Sequence, residues 1–418
     1  MSSYEGHDQT ARSLAIIGYV HAPRPYLSKL PDRRSLILDG RTWAEVSLAA
    51  LEENFHAVQK HVGKGVTVCA VVKADGYGHG AVECARALES AGAEWLGVTD
   101  AAEGLALRGA GAAARILLMT GIWKGEEDGI VAQNLTPTIW EPWHIELLER
   151  AASKGQGALP SHRLSVHLKL DTGMNRLGAQ KEALPHLCEM LGACKHLTLE
   201  GVSTHFASAE VLDATDAVRQ MKRFDEGLAV LQSYGFWPPL VHMGNSAAMS
   251  ARPETWKTMV RPGIALYGYS LAFTRGGEPA AVDELPLRPV LSWKTRVLTV
   301  KDVAAGQAVG YMGTFVTKAQ SRIAVVPVGY ADGYPRLLSN RARVIVGGEY
   351  APVVGRVSMD LTIVDVSHIR GVAVGDEVIL IGQDKGKRVD AVELARLCES
   401  VPYEILCGLS QRVPRVYV

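Results

Sequence analysis

Residues 66–92 read VTVCAVVKADGYGHGAVECARALESAG and contain one complete structural repeat. The run VTVCAVV (66–72) is apolar throughout, which indicates a strand buried on both faces. After a loop with three glycines, AVECARALESAG (81–92) places apolar residues three and four positions apart and ends at glycine, as an amphipathic helix does. The stretch therefore predicts a strand, a loop and a helix in that order.

The same order recurs on both sides of this stretch. Upstream, TWAEVSLAALEENFHAV (42–58) begins as an alternating strand and continues at helical spacing. Downstream, buried-strand runs alternate with helical segments, and these runs are WLGVTD (95–100), RILLMT (115–120), LTPTIW (135–140), LSVHLKL (164–170), LTLEGVSTHF (197–206) and PLVHMGN (239–245). Seven or eight such units in about 230 residues predict an α/β fold, a TIM-like (β/α)8 barrel rather than an open doubly wound sheet.

The last third of the chain has a different pattern. Short runs such as VLSWKTRVLTV (290–300) and DEVILIG (376–382) alternate with Gly and Asp turns and have little helix between them, which predicts a mainly antiparallel β domain. We therefore divide the chain into a barrel at residues 39–275 and a β domain at 276–418. The first strand, at about residues 41–48, is a candidate to join the β domain, and residues 1–38 form an N-terminal extension without an assigned role.

Charge and cysteine content exclude several classes of protein. The 44 basic and 44 acidic residues cancel, so no overall field attracts nucleic acid or anionic lipid. The early apolar run LAIIGYV (14–20) is too short to span a bilayer, so no membrane association is expected. Six cysteines without CxxC spacing indicate neither a disulfide framework nor a metal site, and we expect a cytoplasmic protein.

Lys73 is the first candidate for catalysis, because it ends the apolar run VTVCAVV. In a parallel barrel the catalytic groups lie where strands end and loops begin. An apolar environment lowers the pKa of an amine and prepares it as a Schiff-base nucleophile. The alternative is an ordinary ion-paired lysine, which is the commoner role for a lone lysine at a strand end.

The ordered string VVKADGYGHG (71–80) resembles the pyridoxal-lysine motif of alanine racemases, pyridoxal-phosphate enzymes built from a barrel and a β domain. The resemblance implies that Lys73 binds the cofactor covalently and acts as a catalytic base, and that Tyr77 contacts the cofactor phosphate. It covers the chain from about Thr42 to Val418, including the C-terminal LSQRVPRVYV. Pyridoxal 5'-phosphate is therefore the expected cofactor.

LKLDTGMNRLG (168–178) extends the resemblance. It implies that Arg176 binds the substrate carboxylate, as a guanidinium can, and that Lys169 supports it, commonly as a carbamylated lysine. An Asp171–Arg176 ion pair that closes the turn is the structural alternative.

Two further strings imply residues around the cofactor. By resemblance, His205 in STHFA (203–207) lies by the pyridine ring and contacts Arg261, the arginine that faces the ring nitrogen. A donor-only arginine leaves that nitrogen unprotonated and favours racemisation over transamination. Phosphate contacts are expected from Ser246 and from the backbone N–H groups of Gly263 and Ile264.

Racemisation needs a second acid/base on the opposite face of Cα. VGYMGTF (309–315) matches the family segment whose tyrosine has this role across a dimer interface, so the resemblance implies that Tyr311 is the second catalytic residue and that the protein is a homodimer with shared active sites. A half-buried strand tyrosine is the alternative. In RVSMDL (356–361), Met359 is expected near the substrate carboxylate with Asp360 supporting it, and Ser358 replaces the cysteine of many relatives.

Tyr403, in PYEILCG (402–408), matches a family tyrosine that contacts the phosphate and narrows the pocket, which favours alanine as the small amino-acid substrate. The predicted function is interconversion of L-alanine and D-alanine, which supplies D-alanine for peptidoglycan. The alternatives are a racemase of serine or lysine, an amino-acid decarboxylase of the same class, and a pyridoxal-phosphate-binding protein. Arg261 argues against a decarboxylase, because decarboxylases of this class carry a carboxylate at the ring nitrogen. The predicted β domain argues against the binding protein, which in this class is a barrel alone.

Overall fold

The computed structural model describes residues 40–155 and 163–418. The predicted N-terminal extension lies outside the described residues. Strand β1 (Thr42–Val46) leads directly into helix α1 (Leu48–Val62), as the change from alternating to helical spacing predicts. Ser47 separates the two elements, and its side chain accepts a hydrogen bond from the backbone N–H of Ala50, which caps the helix.

Eight parallel strands then close into a barrel. The strands are β2 (Thr67–Val71), β3 (Trp95–Val98), β4 (Arg115–Leu118), β5 (Thr136–Ile139), β6 (Leu164–Lys169), β7 (Leu197–Ser203), β8 (Leu240–His242) and β9 (Met259–Val260). Strand β2 pairs with β3 through Cys69 and Trp95, and with β9 through Thr67 and Met259. The predicted (β/α)8 barrel is confirmed.

Helices cover the outside of the barrel between successive strands. They are α2 (Ala81–Ser90), α3 (Ala101–Gly109), α4 (Glu127–Ala132), α5 (Pro142–Lys154), α6 (Leu184–Ala193), α7 (Thr215–Ser233) and α8 (Ser246–Ala251). Short 3-10 turns at Lys181–Ala183 and Pro253–Thr255 adjoin α6 and α8. Since every strand is followed by a loop at its carboxyl end, these loops gather at one mouth of the barrel.

The remaining chain is mainly β structure, as expected. Its strands are β10 (Phe273–Arg275), β11 (Glu278–Ala280), β12 (Leu291–Arg296), β13 (Thr299–Val303), β14 (Ala308–Val309), β15 (Phe315–Val316), β16 (Ser321–Val326), β17 (Arg343–Val346), β18 (Glu349–Pro352), β19 (Thr362–Asp365), β20 (Glu377–Asp384), β21 (Lys387–Val389) and β22 (Arg415–Tyr417). Helices α9 (Ala391–Leu397) and α10 (Pro402–Cys407) precede β22, and 3-10 turns occupy Tyr311–Gly313 and Arg336–Leu338.

The largest sheet of this part has the order β18–β17–β20–β12–β1–β22, and its pairings are antiparallel apart from β1 with β22. Strand β1 is therefore hydrogen-bonded to strands from the far end of the chain. Strands β10 and β11 form a hairpin across the predicted boundary between residues 275 and 276, and that boundary stays a prediction.

Three buried apolar clusters show where the core of the described residues lies, and the smallest is Val309, Ile323 and Val354 in the β domain. A small one, formed by Cys69, Trp95, Leu117 and Met259 from four barrel strands, is separate from the large cluster that includes the covering helices and the β domain. The large cluster is continuous from Leu51 in α1 to Trp293 in β12, so the barrel and the β domain share apolar packing. In the part of the chain described, no helix is long and apolar enough to cross a membrane.

Candidate active site

A cavity of about 730 Å3 lies at the carboxyl ends of the barrel strands. Its wall includes residues from the ends of β2, β6, β7 and β8 and from the loop after β9, together with Tyr403 from α10. The cavity contains ten of the predicted site residues, namely Lys73, Tyr77, Lys169, Arg176, His205, Ser246, Arg261, Gly263, Ile264 and Tyr403. Five distant segments of the barrel and one of the β domain thus meet at one place.

The backbone after Lys73 is a left-handed turn. Ala74, Asp75, Gly76 and Tyr77 have φ values of 52°, 52°, 61° and 52°. Residues other than glycine rarely adopt this region, and a run of them costs roughly 1–2 kcal/mol for each residue. Strain of this kind persists only where surrounding contacts fix it, and it is concentrated at functional sites.

Hydrogen bonds hold this turn at both ends. The carboxylate of Glu103 accepts from the backbone N–H of Ala74 and from that of Thr99, both at 2.7 Å. The carboxylate of Asp75 accepts from the N–H of Ala81 at 2.8 Å, which ties the turn to the start of α2. The turn therefore directs Lys73 and Tyr77 from one short segment into the same cavity.

The amine of Lys73 has the electrostatic environment of a nucleophile. Burial lowers the pKa of Lys73, the positive charge of Arg176 lowers it further, and Glu103 acts in the opposite direction. A lower pKa increases the fraction of uncharged amine at neutral pH. This lysine is therefore suited to covalent chemistry, in contrast to the ion-paired alternative.

Tyr77, Ser246 and Gly263 form a small polar recess on one side of the cavity. The Ser246 Oγ accepts a hydrogen bond from the N–H of Gly263 at 2.9 Å. A Cβ atom at position 263 would lie 2.2 Å from the Tyr77 hydroxyl oxygen, so only glycine permits this approach. The Tyr77 ring packs against those of Tyr267 and Tyr403, with ring centroids 4.9 and 5.9 Å apart. Hydroxyl and backbone N–H donors in such a recess are suited to an anion.

Arg261 lies buried on the other side of the cavity. Its guanidinium donates to the Nδ1 of His242 at 2.6 Å and to the carbonyl of Thr204 at 2.8 Å, and it lies 3.5 Å from the Nδ1 of His205. Burial lowers the pKa of Arg261 to about 10, and no carboxylate in the described ranges offsets it. Arg261 is therefore a charged donor at neutral pH, held by uncharged acceptors.

Lys169 and Arg176 make the cavity more positive, whereas His205 stays neutral beside them. Burial, the positive charge of Arg261 and the charges of other cations lower the pKa of Lys169 to about 8 and that of His205 to about 3. The carboxylate of Asp171 accepts hydrogen bonds from the backbone N–H groups of Gly173 and Asn175, both at 3.0 Å. Within the described residues it makes no ion pair with Arg176, so the alternative in which that pair closes the turn is not observed.

Tyr311, Met359 and Asp360 do not line this cavity. Tyr311 is 70% exposed and Met359 is 52% exposed, both on the surface of the β domain. Asp360 forms an ion pair with Arg412 at 2.7 Å. Within one chain, the predicted second base is therefore not assembled with Lys73.

Two residues at the site were not predicted from the sequence. His242 ends strand β8 and binds Arg261, and its position at a strand end was the available signal. Glu103 lies in the first turn of α3, three residues after Asp100, whose side chain caps the helix. Ala74 belongs to another strand–helix unit, and no sequence pattern near Glu103 indicates the contact between the two residues.

Comparison with known proteins agrees with this geometry. Residues 46–271 match the family model of the alanine racemase N-terminal domain, and residues 290–417 match that of the alanine racemase C-terminal domain. The alanine racemase of Symbiobacterium thermophilum is 42% identical over 382 residues, which are 91% of this chain and 98% of that protein.

Solved structures give the same result. The alanine racemase from D-cycloserine-producing Streptomyces lavendulae is similar with a TM-score of 0.82 and 34% identity, covering 90% of this chain and 97% of that one. The alanine racemase from Bartonella henselae with covalently bound pyridoxal phosphate has a TM-score of 0.79 and 29% identity, covering 91% of this chain and 100% of that one. By sequence, fold and the composition of its cavity, the chain belongs to the alanine racemase family.

Proposed function

We propose that this protein interconverts L-alanine and D-alanine with pyridoxal 5'-phosphate bound at Lys73, by proton exchange on both faces of Cα. The observation that carries the proposal is that one cavity contains the Lys73 amine, the Tyr77–Gly263 recess and the Arg261 guanidinium. Family membership supports alanine as the substrate and a pyridoxal-phosphate enzyme as the class. A serine or lysine racemase, a decarboxylase and a binding protein are not favoured by these matches.

The residues of the cavity fit the cofactor. Tyr77, Ser246 and the N–H groups of Gly263 and Ile264 would hold its phosphate, and Tyr403 would contact the same group. When bound, pyridoxal phosphate withdraws electron density from the amino acid and makes the Cα proton acidic.

Arg261 and His205 would face the pyridine ring from the other side. Because an arginine donates and stays charged, Arg261 would offer the ring nitrogen a hydrogen bond and keep its own proton. An unprotonated ring would withdraw electrons less strongly, which would favour racemisation over transamination.

The substrate would be held by its carboxylate. Arg176 faces the cavity and has no competing ion pair with Asp171, and Met359 of the partner subunit would lie near the same carboxylate. Lys169 would support Arg176, and Asp360 would support Met359. The Tyr403 ring would limit the space for the substrate side chain, which favours methyl.

The second base would come from another copy of the chain. Lys73 exchanges the proton on one face of Cα, and the partner subunit's Tyr311 exchanges it on the other. The exposure of Tyr311, Met312 and Met359 on the β domain supports a homodimer, since these large side chains have no cover within one chain. The product would serve peptidoglycan synthesis as a source of D-alanine.

Covalent attachment at Lys73 can be tested directly. Purified protein with added pyridoxal phosphate is reduced with borohydride, digested and mapped by mass spectrometry. We expect the added mass on the peptide that contains Lys73 and not on the peptide that contains Lys169. A portion of the same protein with pyridoxal phosphate, kept unreduced and undigested, should release α-deuterium from labelled alanine faster than from labelled serine or lysine. Label on another lysine, or a faster reaction with serine or lysine, would contradict this assignment.

Sharing of the site between subunits is tested by mixing two inactive variants. In a mixed dimer of Lys73→Ala and Tyr311→Phe, one site has both intact residues and the other has neither. Random exchange of subunits should restore about a quarter of the wild-type activity, because half of the dimers are mixed and each has one intact site. Absence of recovery, in samples whose subunits have exchanged, would show that both bases act within one chain.

A further inference from the structure

A chain of polar side chains begins at the cavity with Arg261 and His242 and runs through the inside of the barrel to its other end. The Nη1 of Arg261 lies 2.6 Å from the Nδ1 of His242, whose Nε2 lies 2.9 Å from the Nδ1 of His167. The Nε2 of His167 faces the Oε2 of Glu200 at 3.9 Å. The carboxylate of Glu200 in turn pairs with both terminal nitrogens of Arg115. The chain connects two cations through two imidazoles and one carboxylate.

From Arg261 to His167 the hydrogen-bond donors point towards Glu200, and Arg115 donates to Glu200 from the opposite end. Arginine only donates, so the Nδ1 of His242 accepts and its proton is on Nε2. That Nε2–H donates to the Nδ1 of His167, whose own proton is then on Nε2, towards Glu200. Both imidazoles are fully buried, and burial lowers the pKa of each, so both are neutral. Arg261 thus determines one tautomer for each ring, and the carboxylate of Glu200 favours the same two.

Two features of the backbone serve this arrangement. Strands β6 and β7 change register between Val166, which pairs with Leu199, and His167, which pairs with Gly201, so Glu200 is the additional residue of a β-bulge. Bulges redirect side chains and occur often beside active sites. At the next position, a Cβ on Gly201 would lie 2.6 Å from three atoms of the His167 ring, so glycine makes the space for that imidazole.

Arg115, at the end of this chain of side chains, lies near the mouth of the barrel opposite the cavity. Arg115 is the first residue of β4, its side chain is 41% exposed, and its guanidinium lies 4.2 Å from the centre of the Trp95 ring. Burial disfavours ionisation of Glu200, but the nearby His167 imidazole and the hydrogen bonds from Arg115 outweigh this effect and lower the pKa of Glu200 to about 2. Glu200 is therefore a permanent anion inside the barrel wall.

We infer that Glu200 is a positioning residue for catalysis, which polarises His167 and His242 and thereby holds the guanidinium of Arg261 in the cavity. The inference rests on the proposed function of Arg261 as the partner of the pyridine nitrogen. Arg261 has no carboxylate of its own in the described residues, and its hydrogen bond to His242 leads through His167 to Glu200. The buried Nε2 of His167 has no hydrogen-bond partner in the described part of the chain, and the Glu200 carboxylate lies 3.9 Å from it, so Glu200 acts on this imidazole by its charge. A negative charge next to the end of a series of hydrogen bonds strengthens each acceptor along it.

The protons on the two imidazoles can be observed in the wild-type protein by neutron diffraction of the holoenzyme. We expect a proton on Nε2 of both His242 and His167, and none on Nδ1 of either ring. A proton on Nδ1 of His242 would overturn the inference, because that atom could not then accept from Arg261. This measurement needs no variant and does not depend on catalytic activity.

Two variants with different chemistry should give the same result. Glu200→Gln removes the charge, and Gly201→Ala displaces the His167 ring while it keeps the charge. For both variants, we expect kcat for alanine to fall on the order of tenfold and the KM to stay within about twofold of the wild-type value. Loss of a residue that orients a functional group typically has an effect of this size. In crystal structures of both variants, the Arg261–His242 contact should lengthen beyond hydrogen-bond distance.

Reaction specificity distinguishes positioning from a merely structural role. If Arg261 moves from the ring nitrogen, pyruvate from abortive transamination should increase on the order of tenfold relative to racemised alanine. Glu149→Gln is the matched control, since Glu149 also binds an imidazole, that of His196 at 2.8 Å, and has no contact with this chain. Variants that lose stability but keep the wild-type ratio of pyruvate to racemised alanine would overturn the inference. Wild-type protein without racemase activity would instead contradict the proposed function.

Discussion

Lys73 and Tyr311, the two residues proposed to exchange protons with alanine, lie in opposite environments. Lys73 is fixed by a strained turn in a cavity, where burial and Arg176 lower its pKa. Tyr311 lies on a short 3-10 turn of the β domain and is mostly exposed. Within one chain the predicted cofactor residues share a cavity, and Tyr311 lies outside it. Under the proposed function, the opposite face of the substrate would therefore depend on a second subunit.

The largest effect is expected at the buried side. Lys73→Ala removes both the covalent attachment and one proton transfer, so racemisation should fall by at least about 10⁴-fold. The measurement is release of α-deuterium from either enantiomer of labelled alanine. Lys64→Ala, at an exposed lysine in the loop before β2, should be unchanged. Near-normal exchange in Lys73→Ala would contradict the proposed pairing of Lys73 and Tyr311, since Lys73 would then not be a base.

The exposed side should give a smaller and one-sided effect. Tyr311→Phe removes one acid/base group, so racemisation should fall by about 10²–10⁴-fold. One enantiomer of α-deuterated alanine should still lose its label through Lys73, and the other should not. Tyr350→Phe, in β18, tests whether loss of any hydroxyl in the β domain has this effect. Equal loss of exchange from both enantiomers would mean that Tyr311 does not serve one face alone.

The close approach at Gly263 should give a moderate effect. Gly263→Ala places a Cβ 2.2 Å from the Tyr77 hydroxyl oxygen, so the tyrosine must move. Crowding of ~1.4 kcal/mol would weaken cofactor binding about tenfold, measured by absorbance titration with pyridoxal phosphate. Gly192→Ala in α6 is the control, because nothing lies within 4 Å of the added methyl. Unchanged affinity in Gly263→Ala would argue against Tyr77 as a phosphate contact.

The smallest effect concerns the stability of the buried site. The pKa of Lys169 is lowered to about 8 in the folded protein, against about 10.4 in an unfolded chain. Between these pH values the unfolded chain binds more protons, so stability rises with pH across this window, and at pH 7 the charged lysine is destabilising. In buffer free of carbon dioxide, Lys169→Met should raise the Tm at pH 7 by about 2–4 °C, and the gain should vanish above about pH 10.4.

Calorimetry of the wild type and of Lys169→Met, at pH 7 and above about pH 10.4, measures the two Tm values and checks this expectation. Bicarbonate should stabilise wild-type protein and leave Lys169→Met unchanged, because only the lysine can become a carbamate. A lower Tm for Lys169→Met at pH 7 without carbon dioxide would show that the charged amine is stabilised by its surroundings, contrary to the pKa shift.

The sequence alone determined the barrel, the mainly β C-terminal domain and the family. Strands such as VTVCAVV (66–72) are buried on both faces and alternate with amphipathic helices, so period and order specify the architecture locally. The motif residues Lys73 and Arg261 could be named in advance because each follows a strand and belongs to a recognisable string.

Only the tertiary structure decided which residues act together. The contact of Glu103 with Ala74 and the side-chain network from Arg261 to Glu200 join units that are far apart in sequence. The left-handed turn after Lys73 is local, but the contact with Glu103 helps to hold it. Hydrogen-bond partners, tautomers and desolvation depend on distances between atoms, and a one-residue bulge at Glu200 is enough to redirect a side chain. Local pattern therefore specified the elements, and packing of the closed barrel specified the electrostatics of the site.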